Sequence, residues 1–425
     1  MLKKSLSLLI KSFSFQKKFG FIGSHEYIRI KKIYQISRKV GVINNNIIHE
    51  YERLFCNFIG EGECVSFSSG RMAFYSILKA MKIQKGDEIL IQGATCSVMI
   101  NAIIRCHATP VYVDMDESNY GTSIKSIEEK ITPKTRVIVA QHSFGIPCQI
   151  RDISELAKQK NIYLIEDCAL TFGSTYENVI CGNFGDAAIF STDRSKPIST
   201  VYGGMAFSNN KKIIQSIREI QKKSKSLSKK EQKYILRRFI FDRFFCKPRL
   251  YNLYKLINSV LIKIKYFGNF PNLDFSEKVH NSYPYPSKLP TFLALIGLCE
   301  LENWKRESKK RIKNLQIFLD FANKNKEFLS LPSCYLSSNL KIVPSRIAWT
   351  ENNIFVAKKI KNIIDKDWIW FKEVIQGYDK KEKLYYSKNM CKVSEEIGPK
   401  ILNIPINQSS KGMIEIVKYI EGIFV

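Results

Sequence analysis

Asp167 and Lys196 are the pair through which this chain could act on a carbonyl compound. Asp167 closes an apolar run in Ile165-Glu166-Asp167-Cys168-Ala169, and Lys196 ends Phe190-Ser191-Thr192-Asp193-Arg194-Ser195-Lys196, ahead of Gly203-Gly204-Met205. A lysine amine can capture an aldehyde covalently, and a carboxylate can keep a heterocyclic nitrogen protonated. Together they fit a ring that must act as an electron sink, because a pyridine does so only while its nitrogen carries a proton, and a nearby carboxylate raises that pKa. The lysine must be desolvated enough to lose its own proton and to serve as a base.

An anionic handle on such a ring needs donors. Ser68-Ser69-Gly70-Arg71 lies between an expected strand and an expected helix, where backbone N–H groups and the helix dipole favour a phosphate and glycine permits close approach. Ser191 is a second hydroxyl donor, five residues before Lys196. The set implies pyridoxal 5'-phosphate, held by Lys196, Asp167, Ser69, Gly70 and Ser191. The five histidines form no H-E-x-x-H, and the eleven cysteines form no C-x-x-C pair or zinc-spaced cluster, so no metal is expected. The odd cysteine count and its dispersal point to a reducing cytoplasm.

The elements that must position these residues form an α/β pattern. Strands are expected at 64–67, 88–91, 110–113, 136–140, 162–166, 187–191 and 205–208, with helices at 72–81, 98–106, 124–131 and 153–159. Continuous apolar strands alternating with helices predict a mainly parallel sheet covered on both faces, with ligands gathered at the carboxyl ends of the strands. At 425 residues the chain is long enough for two lobes. We read residues 1–50 as a basic amino-terminal segment and 51–210 as the cofactor-binding domain. Residues 211–290 read as a basic amphipathic helical insertion with its loop, and 291–425 as a connecting helix, expected over 291–315, with a small α+β carboxyl-terminal domain.

The formal net charge is +28. It fits either an anionic partner or a compositional drift towards lysine spread along the whole chain. No nucleic-acid-binding module is present, and charge alone does not make one. In 211–266, Arg237, Arg238, Arg243 and Lys247 stand among Phe239, Ile240, Phe244, Phe245 and Leu250. Such helices can lie on an anionic membrane or can cover the core with their cationic stems, and both readings stay open. The start, Met1-Leu2-Lys3-Lys4, imitates a signal peptide, but its apolar stretch is interrupted at Lys11. A soluble cytoplasmic protein is expected, with peripheral contact at the inner face of the membrane as an open alternative.

Several motifs in order give the chain a resemblance. They are Tyr51-Glu52, Ser69-Gly70, Lys85-Gly86-Asp87-Glu88, Ala108-Thr109-Pro110-Val111-Tyr112-Val113-Asp114, Ile131-Thr132-Pro133, and His142-Ser143-Phe144-Gly145. Ile165-Glu166-Asp167, the 182–186 loop, Lys196 with Gly203-Gly204-Met205, and Ile401-Leu402-Asn403-Ile404-Pro405 complete the series. The chain resembles the DegT/DnrJ/StrS sugar aminotransferases, a branch of the fold-type I pyridoxal phosphate enzymes. The resemblance implies a three-layer large domain and a homodimer with the active site between subunits. It implies amino transfer, usually from glutamate, to a keto group on a nucleotide-linked sugar, in the making of a polysaccharide or glycoconjugate.

The sequence also departs from that family. Arg71 replaces a threonine and could bind the phosphate or point away. Cys96 stands where an aromatic ring often stacks on the cofactor, and Leu170 replaces a polar residue three after the aspartate. Pro286-Ser287-Lys288 replaces an Asn-x-Arg motif, which makes Lys288 the candidate substrate-binding residue given to the partner subunit. His142 is read as structural. These departures leave two rivals, amino transfer to another keto compound and a non-catalytic scaffold that binds a membrane or partner.

Overall fold

All seven expected strands form, each ending within one residue of its expected bounds. The computed structural model describes residues 17–23, 25–268, 275, 278–329, 331–366, 369–377 and 384–424. The signal-like start and residues 269–274, 276 and 277 of the 269–290 loop lie outside the described residues.

The strands join one nine-stranded sheet. From one edge, Thr109–Val113, Glu88–Gln92, Thr135–Gln141, Tyr163–Asp167 and Ala187–Ser191 run parallel. Gly204–Ser208 then runs antiparallel to Ala187–Ser191 and to Glu63–Phe67 on its other side. Two short strands that periodicity could not reveal, Ser287–Lys288 and Lys225–Ser226, complete the far edge.

Burial on both faces explains the unbroken apolar runs in the parallel strands. Ile89, Ile91, Val137, Val139 and Ile165 share one core with the helices Gly70–Ala80, Ser97–Arg105 and Lys211–Lys223. Leu90, Ile138, Ala140 and Leu164 enter another with Ile124–Lys130 and Ile150–Gln159. Cys64, Ala188, Phe190, Met205 and Phe207 face a third core, built with Asn45–Cys56 and the first half of the long helix. That helix, Thr291–Lys324, runs nine residues beyond its expected end. Its last turns carry Leu315, Phe318 and Phe321 into the core of the second lobe, so tertiary packing extends a helix whose surface pattern fades. In that lobe Arg346–Thr350 pairs antiparallel with Ile401–Pro405, and Ile354–Ile360 and Ser410–Phe424 pack with it.

The helix Lys211–Lys223 belongs to the sheet cover. The segment after it forms two further helices, Lys229–Phe245 and Tyr251–Lys263. Ser228 and Glu231 cap the first of these reciprocally, an arrangement that stabilises a helix start by about 1 kcal/mol. Phe241, Cys246, Tyr251, Tyr254 and Phe267 close a small core of their own with Ile22.

One row of the sheet sets up the site. Phe67, Gly204 and Ser191 lie side by side in register. Because Glu63–Phe67 runs in the same direction as Ala187–Ser191, the helix Gly70–Ala80 begins at the edge where Asp167 and Ser191 end. A Cβ at Gly204 would stand 2.3 Å from Gly70 N and 2.4 Å from Gly70 Cα. Only a glycine there lets the helix start rest on the sheet. Gly204→Ala should therefore destabilise the protein by about 1–3 kcal/mol, the usual range for overpacking, as thermal unfolding would measure.

Candidate active site

The carboxyl ends of the strands and the start of the Gly70–Ala80 helix enclose a cavity of about 500 Å³, a size usual for a small-molecule site. Ser69, Gly70, Arg71, Cys96, Asp167, Ser191 and Lys196 all line it. These residues come from four separate stretches of sequence, and the topology brings them to one edge.

Glu166 and Asp167 alternate faces, and their surroundings separate their roles. Glu166 is fully buried and accepts N–H bonds from Gly182 (2.7 Å), Phe184 (2.7 Å) and Gly185 (2.9 Å). It also meets His142 Nε2 at 3.1 Å. The other ring nitrogen, Nδ1, accepts the Cys148 N–H at 3.1 Å, so the proton sits on Nε2 and donates to Glu166. His142 is thus tied to the 182–185 loop through Glu166, and it also lines the cavity. Among the described residues, His142, Glu166 and Cys168 form the one grouping of metal-ligand type. Its carboxylate is already occupied by four donors.

Asp167 faces the cavity instead. Its Oδ1 accepts the Ala169 N–H at 2.9 Å. Burial pushes its carboxyl above the ordinary value, against the pull of that hydrogen bond, of Lys196 and of His142. Burial likewise lowers the Lys196 ammonium, while Asp193 and Asp167 act the other way. A lysine held part of the way towards its neutral form is what carbonyl capture requires.

The helix start offers the anion site. Ser69 is its N-cap and makes no side-chain cap bond. Its Oγ is buried with no hydrogen-bond partner among the described residues, a costly arrangement unless a ligand supplies the partner. A Cβ at Gly70 would come within 3.0 Å of Ser191 Cβ, which brings the serine against the first turn. Arg71 lines the same wall. The residues present therefore fit a phosphorylated pyridine aldehyde: an unsatisfied hydroxyl at a helix N-terminus, a carboxylate for the ring nitrogen, and a desolvated amine.

Three placements add to the sequence reading. Cys96 lines the cavity, and burial raises its thiol pKa, so it acts there as a small neutral group. Leu170 also lines the wall. Lys288 does not reach the cavity of its own chain. It is half-buried in the short strand between Phe67 and Lys225–Ser226, with its carbonyl accepting from Ser68 Oγ at 2.7 Å.

The sequence reading missed the second lobe's share. Trp370, Phe371 and Gln376 line the cavity, and Ile375–Gln376 pairs with Thr95–Cys96. Lys196 Nζ lies 5.0 Å from the Trp370 ring centre, and the Arg346 guanidinium lies 5.2 Å from it. Burial drops the Arg346 pKa to about 9. The aromatic run at Trp368-Ile369-Trp370-Phe371 is the only local sign of this contribution, and aromatic runs are common in cores. A further cavity of about 640 Å³ also reaches Lys196, between the amino-terminal segment, residues 246–251, the long helix and Asn407–Ser409.

A buried lysine, a buried carboxylate and an open helix start lie together at the carboxyl edge of a doubly covered sheet, and the architecture is that of solved aminotransferases. The chain superposes on the aminotransferase from Psychrobacter cryohalolentis with a TM-score of 0.70 at 21% identity, covering 93% of this chain and 95% of that one. It superposes on S. venezuelae DesV with a TM-score of 0.71 at 16% identity, covering 96% and 98%. Residues 26–418 match the DegT/DnrJ/EryC1/StrS aminotransferase family, and the chain belongs to it. A segment of 168 residues is 39% identical to GDP-perosamine synthase of Escherichia coli O157:H7, covering 40% of this chain and 46% of that protein. Another of 144 residues is 37% identical to dTDP-3-amino-3,6-dideoxy-alpha-D-galactopyranose transaminase of Aneurinibacillus thermoaerophilus, covering 34% and 40%. The matched segments thus span less than half of these relatives.

Asp167 supplies a stability test. Its native carboxyl takes up a proton at higher pH than the unfolded one, so stability falls as pH rises through the window from 3.8 upward. At neutral pH the cofactor-free protein carries that burial cost. Asp167→Asn should raise its melting temperature near neutral pH, leave it unchanged in acid, and weaken pyridoxal phosphate binding roughly tenfold or more through loss of a charged hydrogen bond.

Proposed function

We propose that this chain is a pyridoxal phosphate-dependent aminotransferase that moves an amino group from glutamate to the keto group of a nucleotide-linked sugar. The observation that carries the reading is the shared cavity of Lys196, Asp167 and Ser69, whose Oγ has no hydrogen-bond partner among the described residues. When bound, the cofactor supplies an electron sink for proton removal next to nitrogen. Ser69, Gly70 and Ser191 hold its phosphate, and Asp167 keeps its ring nitrogen protonated. Lys196 Nζ holds the aldehyde and then, as a free amine, takes and returns the proton at the substrate carbon. Trp370 and Phe371 exclude water above that amine.

The substrate class is supported by relatives named for GDP-, dTDP- and UDP-linked sugars. The further cavity at Lys196 gives a second ligand a route to the same amine. Arg71, Leu170 and Lys288 favour one rival, in which the acceptor is another keto compound. We infer a homodimer in which Lys288, outside its own chain's cavity, serves the partner's site. Wild-type protein with pyridoxal phosphate should show an absorbing adduct that borohydride fixes on Lys196, and Lys196→Ala should not. With glutamate, turnover on nucleotide-linked keto sugars supports this reading, and turnover on simple keto acids alone would replace it.

Peripheral contact with an anionic membrane is proposed for the outer face of Tyr251–Lys263. Leu253, Val260 and Ile264 are exposed there along one stripe, and residues 243–268 contain no acidic side chain. Among the described residues, no helix is long and apolar enough to cross a membrane. Sedimentation with phosphatidylserine-containing vesicles, and its loss in Val260→Glu, is the expected result. Equal recovery with and without vesicles would end the idea.

A further inference from the structure

The turn that carries Lys196 is gripped by the insertion that follows the sheet. Arg194, two residues before the lysine, reaches into the pair of helices Lys229–Phe245 and Tyr251–Lys263. Its Nε donates to Asp242 Oδ2 at 2.7 Å and its Nη2 to Asp242 Oδ1 at 2.8 Å. Nη2 also donates to the Tyr254 hydroxyl at 2.7 Å, and that hydroxyl donates to Asp242 Oδ1 at 3.0 Å. The side chains of Arg194 and Asp242 are 13% and 2% exposed, so this is a two-pronged pair withdrawn from water rather than a surface contact. Burial works against the guanidinium charge, and Asp242 outweighs it, so Arg194 stays firmly protonated.

The backbone between Arg194 and Lys196 has little freedom. Lys196 N–H donates to Asp193 O at 3.1 Å, Arg194 N–H to Asp193 Oδ1 at 2.5 Å, and Gly23 N–H to Arg194 O at 3.4 Å. The same two helices hold both flanks of the site. Arg243 Nη2 donates to Glu26 O at 2.7 Å on the amino-terminal segment. Tyr251 Oη donates to Asp365 Oδ2 at 2.5 Å and Lys255 Nζ to Asp365 Oδ1 at 2.9 Å. Asp365 lies five residues before Trp370, whose ring covers Lys196 Nζ.

We propose that Arg194 is a positioning residue for Lys196 and that the insertion, through Asp242 and Tyr254, is a brace fixing the lysine relative to the lobe that supplies Trp370. The proposal rests on the reading of Lys196 as the cofactor-binding lysine. The brace touches neither substrate nor cofactor. It acts by holding the turn, and a small misplacement of a reacting group is enough to lower a rate steeply.

The test uses full-length protein loaded with pyridoxal phosphate. The readouts are the pH midpoint of the bound cofactor's absorbance, the rate and KM of the single-turnover reaction with glutamate, and thermal unfolding. In Asp242→Asn the rate should fall roughly tenfold or more with KM for glutamate little changed, and the midpoint should move. Arg194→Lys should recover part of the rate. The double variant Arg194→Met with Asp242→Leu removes both charges together and should regain stability without regaining rate or midpoint. A folded double variant with the wild-type rate and midpoint overturns the inference, leaving the pair a packing element. If the double variant does not fold, Tyr254→Phe decides: a shifted midpoint and lowered rate support the brace, and wild-type values overturn it. Failure of the wild-type protein itself to yield a borohydride-fixed adduct on Lys196 is a different result and would sink the proposed function instead.

Discussion

A lysine taken out of water loses solvation that its neighbours must balance, and this balance at Lys196 organises much of the molecule. With too little negative charge nearby the amine would be neutral but unable to keep a proton it receives. With too much it would remain an ammonium and a poor nucleophile. The structure supplies an intermediate setting. Burial lowers the lysine pKa, and Asp193 and Asp167 restrain the fall. Asp167 is itself displaced upward by the same burial. Neither group can be understood alone, because each acts on the other's charge within one cavity.

Holding that balance requires a rigid frame, and the frame rests on small local decisions. Gly204 is the clearest, because its missing side chain lets the Gly70–Ala80 helix begin against the sheet. Glu166 is the counterpart on the other face, spending both carboxylate oxygens on three backbone amides and a histidine. Two adjacent carboxylates thus divide between the buried loop and the cavity. Strand alternation decides which is which, and no difference in side-chain type enters.

That division explains what could be read from the sequence. The parallel strands were legible because burial on both faces leaves runs such as Ile89-Leu90-Ile91 and Val137-Ile138-Val139, which no surface element needs. Asp167, Ser69, Gly70, Ser191 and Lys196 were legible because topology places the ends of successive parallel elements at one edge. What stayed hidden joins distant parts of the chain. Trp370 comes from a lobe of short strands with weak periodicity. Asp242 stands 48 residues from Arg194 in a basic helix that the sequence left open between a membrane face and a core cover. The eventual end of the long helix was missed for the same reason, since Leu315, Phe318 and Phe321 serve a different core from the one its first half faces.

The insertion therefore has two faces with different physics. Its inner face uses arginine as a buried, geometrically fixed donor: Arg238 Nη1 reaches Asn258, its guanidinium stacks 3.4 Å over the Phe267 ring, and Asp242 accepts from Arg194. Its outer face exposes aliphatic side chains, as Leu253, Val260 and Ile264 show. A cover that only shielded the core would not need ionic contacts with the lysine turn and with Asp365 at once, because apolar packing would serve at lower desolvation cost. The directed hydrogen bonds have one property that packing lacks, which is fixed geometry. Their concentration on the turn before Lys196 and on the strand-poor stretch before Trp370 places that geometry on both elements that meet at the Lys196 amine.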